Sequence, residues 1–108
     1  MKISEFQKLI KNLYIEQDQK RGVIKTFTWL IEEIGELAHI LKNQEINQHK
    51  TSEEIADIIA WTTSLANLLN IDLEDALFKK YPNMCIKCES NPCICGELNL
   101  NVKGNDVL

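Results

Sequence analysis

Glu33 and Glu36 stand three residues apart in Trp29-Leu30-Ile31-Glu32-Glu33-Ile34-Gly35-Glu36-Leu37, and Glu54 and Asp57 stand three apart in Ser52-Glu53-Glu54-Ile55-Ala56-Asp57. On a helix, positions i and i+3 share a face. Each pair therefore aims its carboxylates one way, and two such helices packed antiparallel bring four carboxylates to one volume. At an effective dielectric of about 20, two like charges about 4 Å apart repel by roughly 4 kcal/mol. At neutral pH such a cluster needs a cation or raised pKa values. Donor sets made only of oxygen suit Mg²⁺ or Mn²⁺, and the pattern points to metal-dependent chemistry on phosphates. The plainer alternative is a solvated acidic face, with Thr51-x-x-Glu54 acting as a capping box.

Two details favour chemistry over a solvated face. Trp29, Glu33, Glu36 and Ile40 form one stripe at i, i+4, i+7 and i+11, and Glu54, Asp57 and Trp61 repeat the theme. A tryptophan four residues from an acid on each helix describes a partly enclosed cleft; core or subunit contacts are the other reading of both rings. Gly35 sits inside the helical stretch at a cost of roughly 1 kcal/mol against alanine, which close approach of a helix or ligand would explain. No other catalytic scheme is visible. There is no phosphate-binding glycine loop, and His39 and His49 have no evident Ser or Cys partner.

All four cysteines fall between Cys85 and Cys95. Cys85-Ile86-Lys87-Cys88 is a metal half-site, and Cys93-Ile94-Cys95 supplies a tighter second half. Four thiolates in this span can enclose a tetrahedral Zn²⁺, which would be structural. The short second spacing leaves iron or a looser site open. With no export signal, metal is favoured over a disulfide framework.

The elements that must position these groups are helices. Phe6, Leu9, Ile10, Leu13 and Tyr14 recur at helical spacing, which predicts a first helix from Ile3 to about Asp18. Arg21-Gly22 marks a turn. A second helix is predicted from about Thr26 to Lys42, with an apolar stripe of Phe27, Leu30, Ile31, Ile34, Leu37, Ala38 and Leu41 and with Glu32, Glu33 and Glu36 opposite. After a polar connection, Thr51 or Ser52 is the expected cap of a third helix reaching about Leu69. Asp72 is the expected cap of a short fourth helix that ends near Tyr81, ahead of Pro82. Leu98, Leu100 and Val102 alternate with polar residues, as a short strand or a loose tail.

The chain has 108 residues, 44% hydrophobic and 26% charged, which fits one soluble domain with a limited core. Apolar faces left uncovered by so small a core favour oligomerisation. The net charge of −4 argues against a nucleic-acid binder with a broad basic surface, although bound divalent ions would still admit a nucleotide. Met1-Lys2-Ile3-Ser4-Glu5 has no apolar stretch behind it, and no run approaches the roughly 20 apolar residues of a spanning helix. The expected compartment is the cytoplasm, with no membrane partner.

Glu32-Glu33-x-x-Glu36 followed by Glu54-x-x-Asp57 resembles the signature of the MazG-type nucleoside triphosphate pyrophosphohydrolases, of the all-α NTP pyrophosphatase superfamily. The resemblance takes in Arg21-Gly22 before the second helix and Asn70-Ile71-Asp72-Leu73-Glu74-Asp75-Ala76-Leu77 leading to Lys79-Lys80-Tyr81. It implies hydrolysis of an NTP or dNTP to the monophosphate and pyrophosphate. It makes Glu33, Glu36, Glu54 and Asp57 magnesium ligands and Glu32 an accessory acid for a second metal or the attacking water. Lys79, Lys80 and Arg21 become candidate phosphate contacts, although lysines closing a helix also suit its dipole. Trp29 and Trp61 become candidate walls of the substrate cleft.

The expectation is thus an all-α antiparallel bundle of about four helices, a homodimer or homotetramer, with a catalytic domain over residues 1–84 and a zinc-binding tail over 85–108. The rival readings are phosphoribosyl-ATP pyrophosphohydrolase and a non-catalytic, zinc-bearing interaction module.

Overall fold

A computed structural model describes residues 1–97, and the alternating Leu98, Leu100 and Val102 lie outside them. Four helices run in order: α1 (Ile3–Arg21), α2 (Val23–Leu41), α3 (Gln48–Leu68) and α4 (Leu73–Lys80), with no strand among the described residues. The chain forms two compact units, one over Met1–Leu73 and a second beginning at Glu74.

In the first unit, α2 packs most extensively on α3, α1 packs next on α3, and α1 meets α2 least. Trp29 lies beside Trp61 and Glu33 beside Glu54, so rising numbers on α2 meet falling numbers on α3 and the pair is antiparallel. One residue, Gly22, separates α1 from α2. Its φ of 86° closes α1 and opens α2 at once, a backbone that glycine adopts without strain. Gly22 N–H donates to Asp18 O at 2.9 Å, and Thr26 donates both its N–H and its hydroxyl to Gly22 O. At the far end, Gln7 Nε2 donates to Asn67 Oδ1 and Ile71 O, while Leu73 N–H donates to Gln7 Oε1. These bonds fix the start of α1 against the end of α3.

Asn47, not Thr51 or Ser52, caps α3. Its side chain accepts from Lys50 N–H at 3.1 Å, and asparagine is among the best N-caps. Thr51 and Ser52 lie inside the helix and bond back to Asn47 O and Gln48 O. Glu54 is therefore a full turn inside α3, and no capping box claims its carboxylate.

The face of α2 differs from the expectation. Thr26 and Leu30 are buried and Glu33, Leu37 and Ile40 are half-buried, whereas Phe27, Ile31, Ile34 and Leu41 are 49%, 50%, 44% and 46% exposed. The apolar residues of α2 span more than one neighbour can cover, and α3 covers the edge that carries Glu33. Gly35 has open space where a side chain would begin, so no described part of this chain makes the close approach expected there. The core is small and partly polar: Ile10, Leu30 and Ala66 are buried alongside Asp18, Thr26, Thr63, Ser64 and Asn67.

The second unit holds most of α4 and the cysteine segment. Cys85 N–H donates to Ser90 O and Glu89 N–H to Cys85 O, folding 85–90 into a tight turn. Asn91 Nδ2 donates to Asn83 O at 2.8 Å and ties the turn's two ends.

Candidate functional site

Glu33 and Glu36 reach the site from one face of α2, and Glu54 from the facing turn of α3. One carboxylate oxygen from each lies within 4.8 Å of the others. Oxygens at opposite corners of a magnesium octahedron lie about 4.2 Å apart, so three such donors can serve one ion. Glu54 Oε2 is buried with no hydrogen-bond partner. An orphaned carboxylate oxygen is costly, and a hard cation removes that cost. The donor set therefore fits a divalent ion of the magnesium class.

Electrostatics point the same way. A hydrogen bond shared with Glu33, then burial, then repulsion from Glu33 and Asp57 push Glu54 above the ordinary carboxylate range. Asp57 stands outside the set of three, near enough for its charge to bear on Glu54. Glu32 is exposed and lines an open groove beside Glu36, with Gly35, His39 and Ile40.

A pH effect on stability follows. Glu54 holds its proton more tightly in the folded chain than its ordinary value of 4.5 allows. The folded state then binds more protons than the unfolded state between 4.5 and the raised value, and stability falls as pH rises through that window. Thermal melts with chelator from pH 4 upward are expected to show that descending limb in the wild type and a flatter one in Glu54→Gln. Added Mg²⁺ is expected to offset the fall, because it replaces the proton.

Beside the acids, Trp29 and Trp61 meet edge to face, with ring centroids 5.4 Å apart and an interplanar angle of 79°. The Arg21 guanidinium lies over both rings, at 4.8 and 4.7 Å from their centroids. Its Nη1 donates to Asp18 Oδ1 at 2.8 Å and to Thr26 Oγ1 at 3.3 Å. Arg21 is thus held by an ion pair, a hydroxyl and two cation–π contacts. A cavity of about 310 Å³ opens here, lined by Tyr14, Gln17, Asp18, Arg21, Asp57 and Trp61 among others. Small-molecule sites run from about 300 to 1,000 Å³.

Asp18 is the site residue that sequence reasoning missed. Its spacing of three from Arg21, just ahead of Gly22, was the available signal. Lys79 and Lys80 close α4 in the second unit, where Lys79 Nζ pairs with Asp75 Oδ2 at 2.9 Å.

In the second unit the four cysteines converge without a disulfide. Cys85 Sγ lies 3.6 Å from Cys95 Sγ, and Cys88 Sγ lies 3.9 Å from Cys93 Sγ. A tetrahedral site with Zn–S bonds of 2.3 Å separates its sulfurs by about 3.8 Å, so the cluster has the dimensions of a metal site. Backbone N–H groups of Cys88 and Lys87 pull Cys85 down to about 6, and that of Ile94 lowers Cys88. Burial pushes Cys95 up to about 12, with Cys93, Cys85 and Cys88 adding to the rise. Some thiols of the metal-free cluster are therefore ready to ionise and one resists, until a cation displaces its proton.

No helix among the described residues is long and apolar enough to cross a membrane. Residues 21–88 match the family model of the MazG nucleotide pyrophosphohydrolase domain. That span takes in the five acids, both tryptophans, Arg21, Lys79, Lys80 and the first cysteine pair. No curated protein matches the chain.

Proposed function

The chain belongs to the MazG nucleotide pyrophosphohydrolase family, and from that premise we propose that it hydrolyses a nucleoside triphosphate, ribo or deoxy, to the monophosphate and pyrophosphate. The carrying observation is the convergence of Glu33, Glu36 and Glu54, with Glu54 Oε2 buried and unpartnered. These three and Asp57 would hold Mg²⁺ or Mn²⁺. When bound, the ion screens the phosphates, polarises the phosphoryl centre and lowers the pKa of water.

The chain's own residues do the rest. Glu32 orients the attacking water or a second ion from the groove it shares with Glu36. Trp29 and Trp61 wall the cleft, with Arg21 over both rings. Catalysis would belong to residues 1–84, and 85–108 would form a tail held by a structural Zn²⁺ on Cys85, Cys88, Cys93 and Cys95. The role is clearance of unwanted or damaged nucleotides in the cytoplasm. A panel of NTPs, dNTPs and phosphoribosyl-ATP, with Mg²⁺ and with Mn²⁺, tests the reading. Monophosphate and pyrophosphate in equal amounts support it; no turnover of any member would favour a binding module instead.

The same reading includes assembly. Phe27, Ile31, Ile34 and Leu41 on α2, with Ile55 and Ile59 on α3, are more exposed than an isolated chain normally leaves its large apolar residues. At least a homodimer is expected, covering α2 where Gly35 leaves room. Sedimentation at micromolar concentration is expected to give two or four times the 12.4 kDa of one chain. A species at the mass of one chain would contradict it.

A further inference from the structure

Asp18 carries a carboxylate oxygen that nothing described so far uses. The residue is 1% exposed. Its Oδ1 receives Arg21, and its Oδ2 is buried with no hydrogen-bond partner among the described residues. Buried acceptors of native structures are overwhelmingly paired, and an unpaired one calls for a reason. Asp18 lines the 310 Å³ cavity, and so does Asp57. Asp57 acts electrostatically on Glu54, so the cavity begins where the acid set ends. A triphosphate held at the acids would extend its nucleoside into this cavity, between Tyr14, Gln17 and Trp61.

Resting on the reading of the chain as a nucleoside triphosphate pyrophosphohydrolase, we propose that this cavity takes the nucleobase and that Asp18 reads its exocyclic amino group. The chemistry is one-sided. A carboxylate ion-paired to arginine accepts hydrogen bonds and donates none. Cytosine and adenine present an amino N–H where uracil and hypoxanthine present a carbonyl oxygen. The amino base gives Oδ2 its missing donor in a charge-assisted bond. The keto base sets an acceptor against an acceptor and leaves Oδ2 unpaired in a buried site. Asp18 thus selects amino-bearing bases and rejects their deaminated counterparts.

The test compares kcat/KM of the full chain for dCTP against dUTP and for ATP against ITP. In whichever pair is turned over, the amino substrate is expected to lead by about tenfold or more, the scale of one lost hydrogen bond to a charged group. Asp18→Asn places an amide N–H₂ in the cavity and is expected to erase or invert the ratio; Asp18→Glu keeps the carboxylate and is expected to keep its sign. Equal efficiencies in the wild type, or an Asp18→Asn variant that slows all four substrates alike, overturn the proposal. The wild-type ratio and Asp18→Glu still decide it if Asp18→Asn does not fold. Absence of turnover with every triphosphate removes the premise itself, an outcome distinct from turnover without preference.

Discussion

Glu54→Gln is expected to lower kcat/KM at limiting Mg²⁺ by about 100-fold or more, the scale on which removal of one group stabilising transition-state charge is felt. The substitution keeps the shape of the side chain and removes the charge whose Oε2 is buried and unpartnered. The same change relieves repulsion from Glu33 and Asp57, so without metal at neutral pH the variant is expected to melt no lower than the wild type. Loss of activity with unchanged or raised apo stability separates a metal ligand from a structural residue. Glu36→Gln and Asp57→Asn are expected to lose most turnover as well. Glu53→Gln is the control. Glu53 precedes Glu54 on α3 and pairs with His49 at 2.8 Å, largely exposed, and its loss is expected to leave activity near wild type. Steady-state rates across a Mg²⁺ titration and thermal melts with chelator check both halves. Near wild-type activity of Glu54→Gln at limiting Mg²⁺ would refute the ligand assignment.

Cys88→Ser is expected to empty the cysteine centre. Protein purified without added zinc should carry about one Zn²⁺ per chain in a four-thiolate site, and the variant a small fraction of that. The ion contributes folding free energy to the segment that forms its site. Its loss is expected to raise hydrogen exchange and proteolysis beyond Tyr81 while α1 to α3 keep their protection. Soft thiolates and hard carboxylates prefer different ions, so activity should fall far less than in Glu54→Gln. Binding displaces thiol protons, so zinc is expected to be retained at neutral pH and released in acid. Elemental analysis across that range reads it. A metal-free wild-type protein with four titratable thiols and full activity would reduce the segment to a passive extension.

The parts legible in the sequence are those governed by local period. Spacing of three put Glu33 with Glu36 on one face, and a spacing of four from acid to ring put Trp29 and Trp61 on matching stripes that meet in the fold. Two close cysteine pairs announced a thiolate cluster. What periodicity could not supply was the choice between faces. α2 is apolar over more than half its circumference, and its own chain covers the edge with Thr26, Leu30 and Glu33 rather than Phe27, Ile31 and Ile34. Nor could it rank caps, because Asn47, Thr51 and Ser52 are all competent until the chain's path picks the first. Asp18 was hidden for a different reason. An acid near the end of a helix reads as a solvated charge until tertiary structure buries it against Arg21.

Gly22 has a consequence for how members of such a lineage can vary in length. The backbone at this residue ends one helix and begins the next, with its N–H bound to Asp18 O and its carbonyl to Thr26. There is no slack between α1 and α2. An inserted or deleted residue would rotate everything before it by about 100° relative to everything after, separating Asp18 and Arg21 from the two tryptophans. The stretch between α2 and α3 is different: it spans residues 42–47, supplies neither the converging acids nor the lining of the 310 Å³ cavity, and can lengthen at small entropic cost. Indels among descendants of this chain should therefore gather there, and the position of Gly22 should stay locked in step with Trp29.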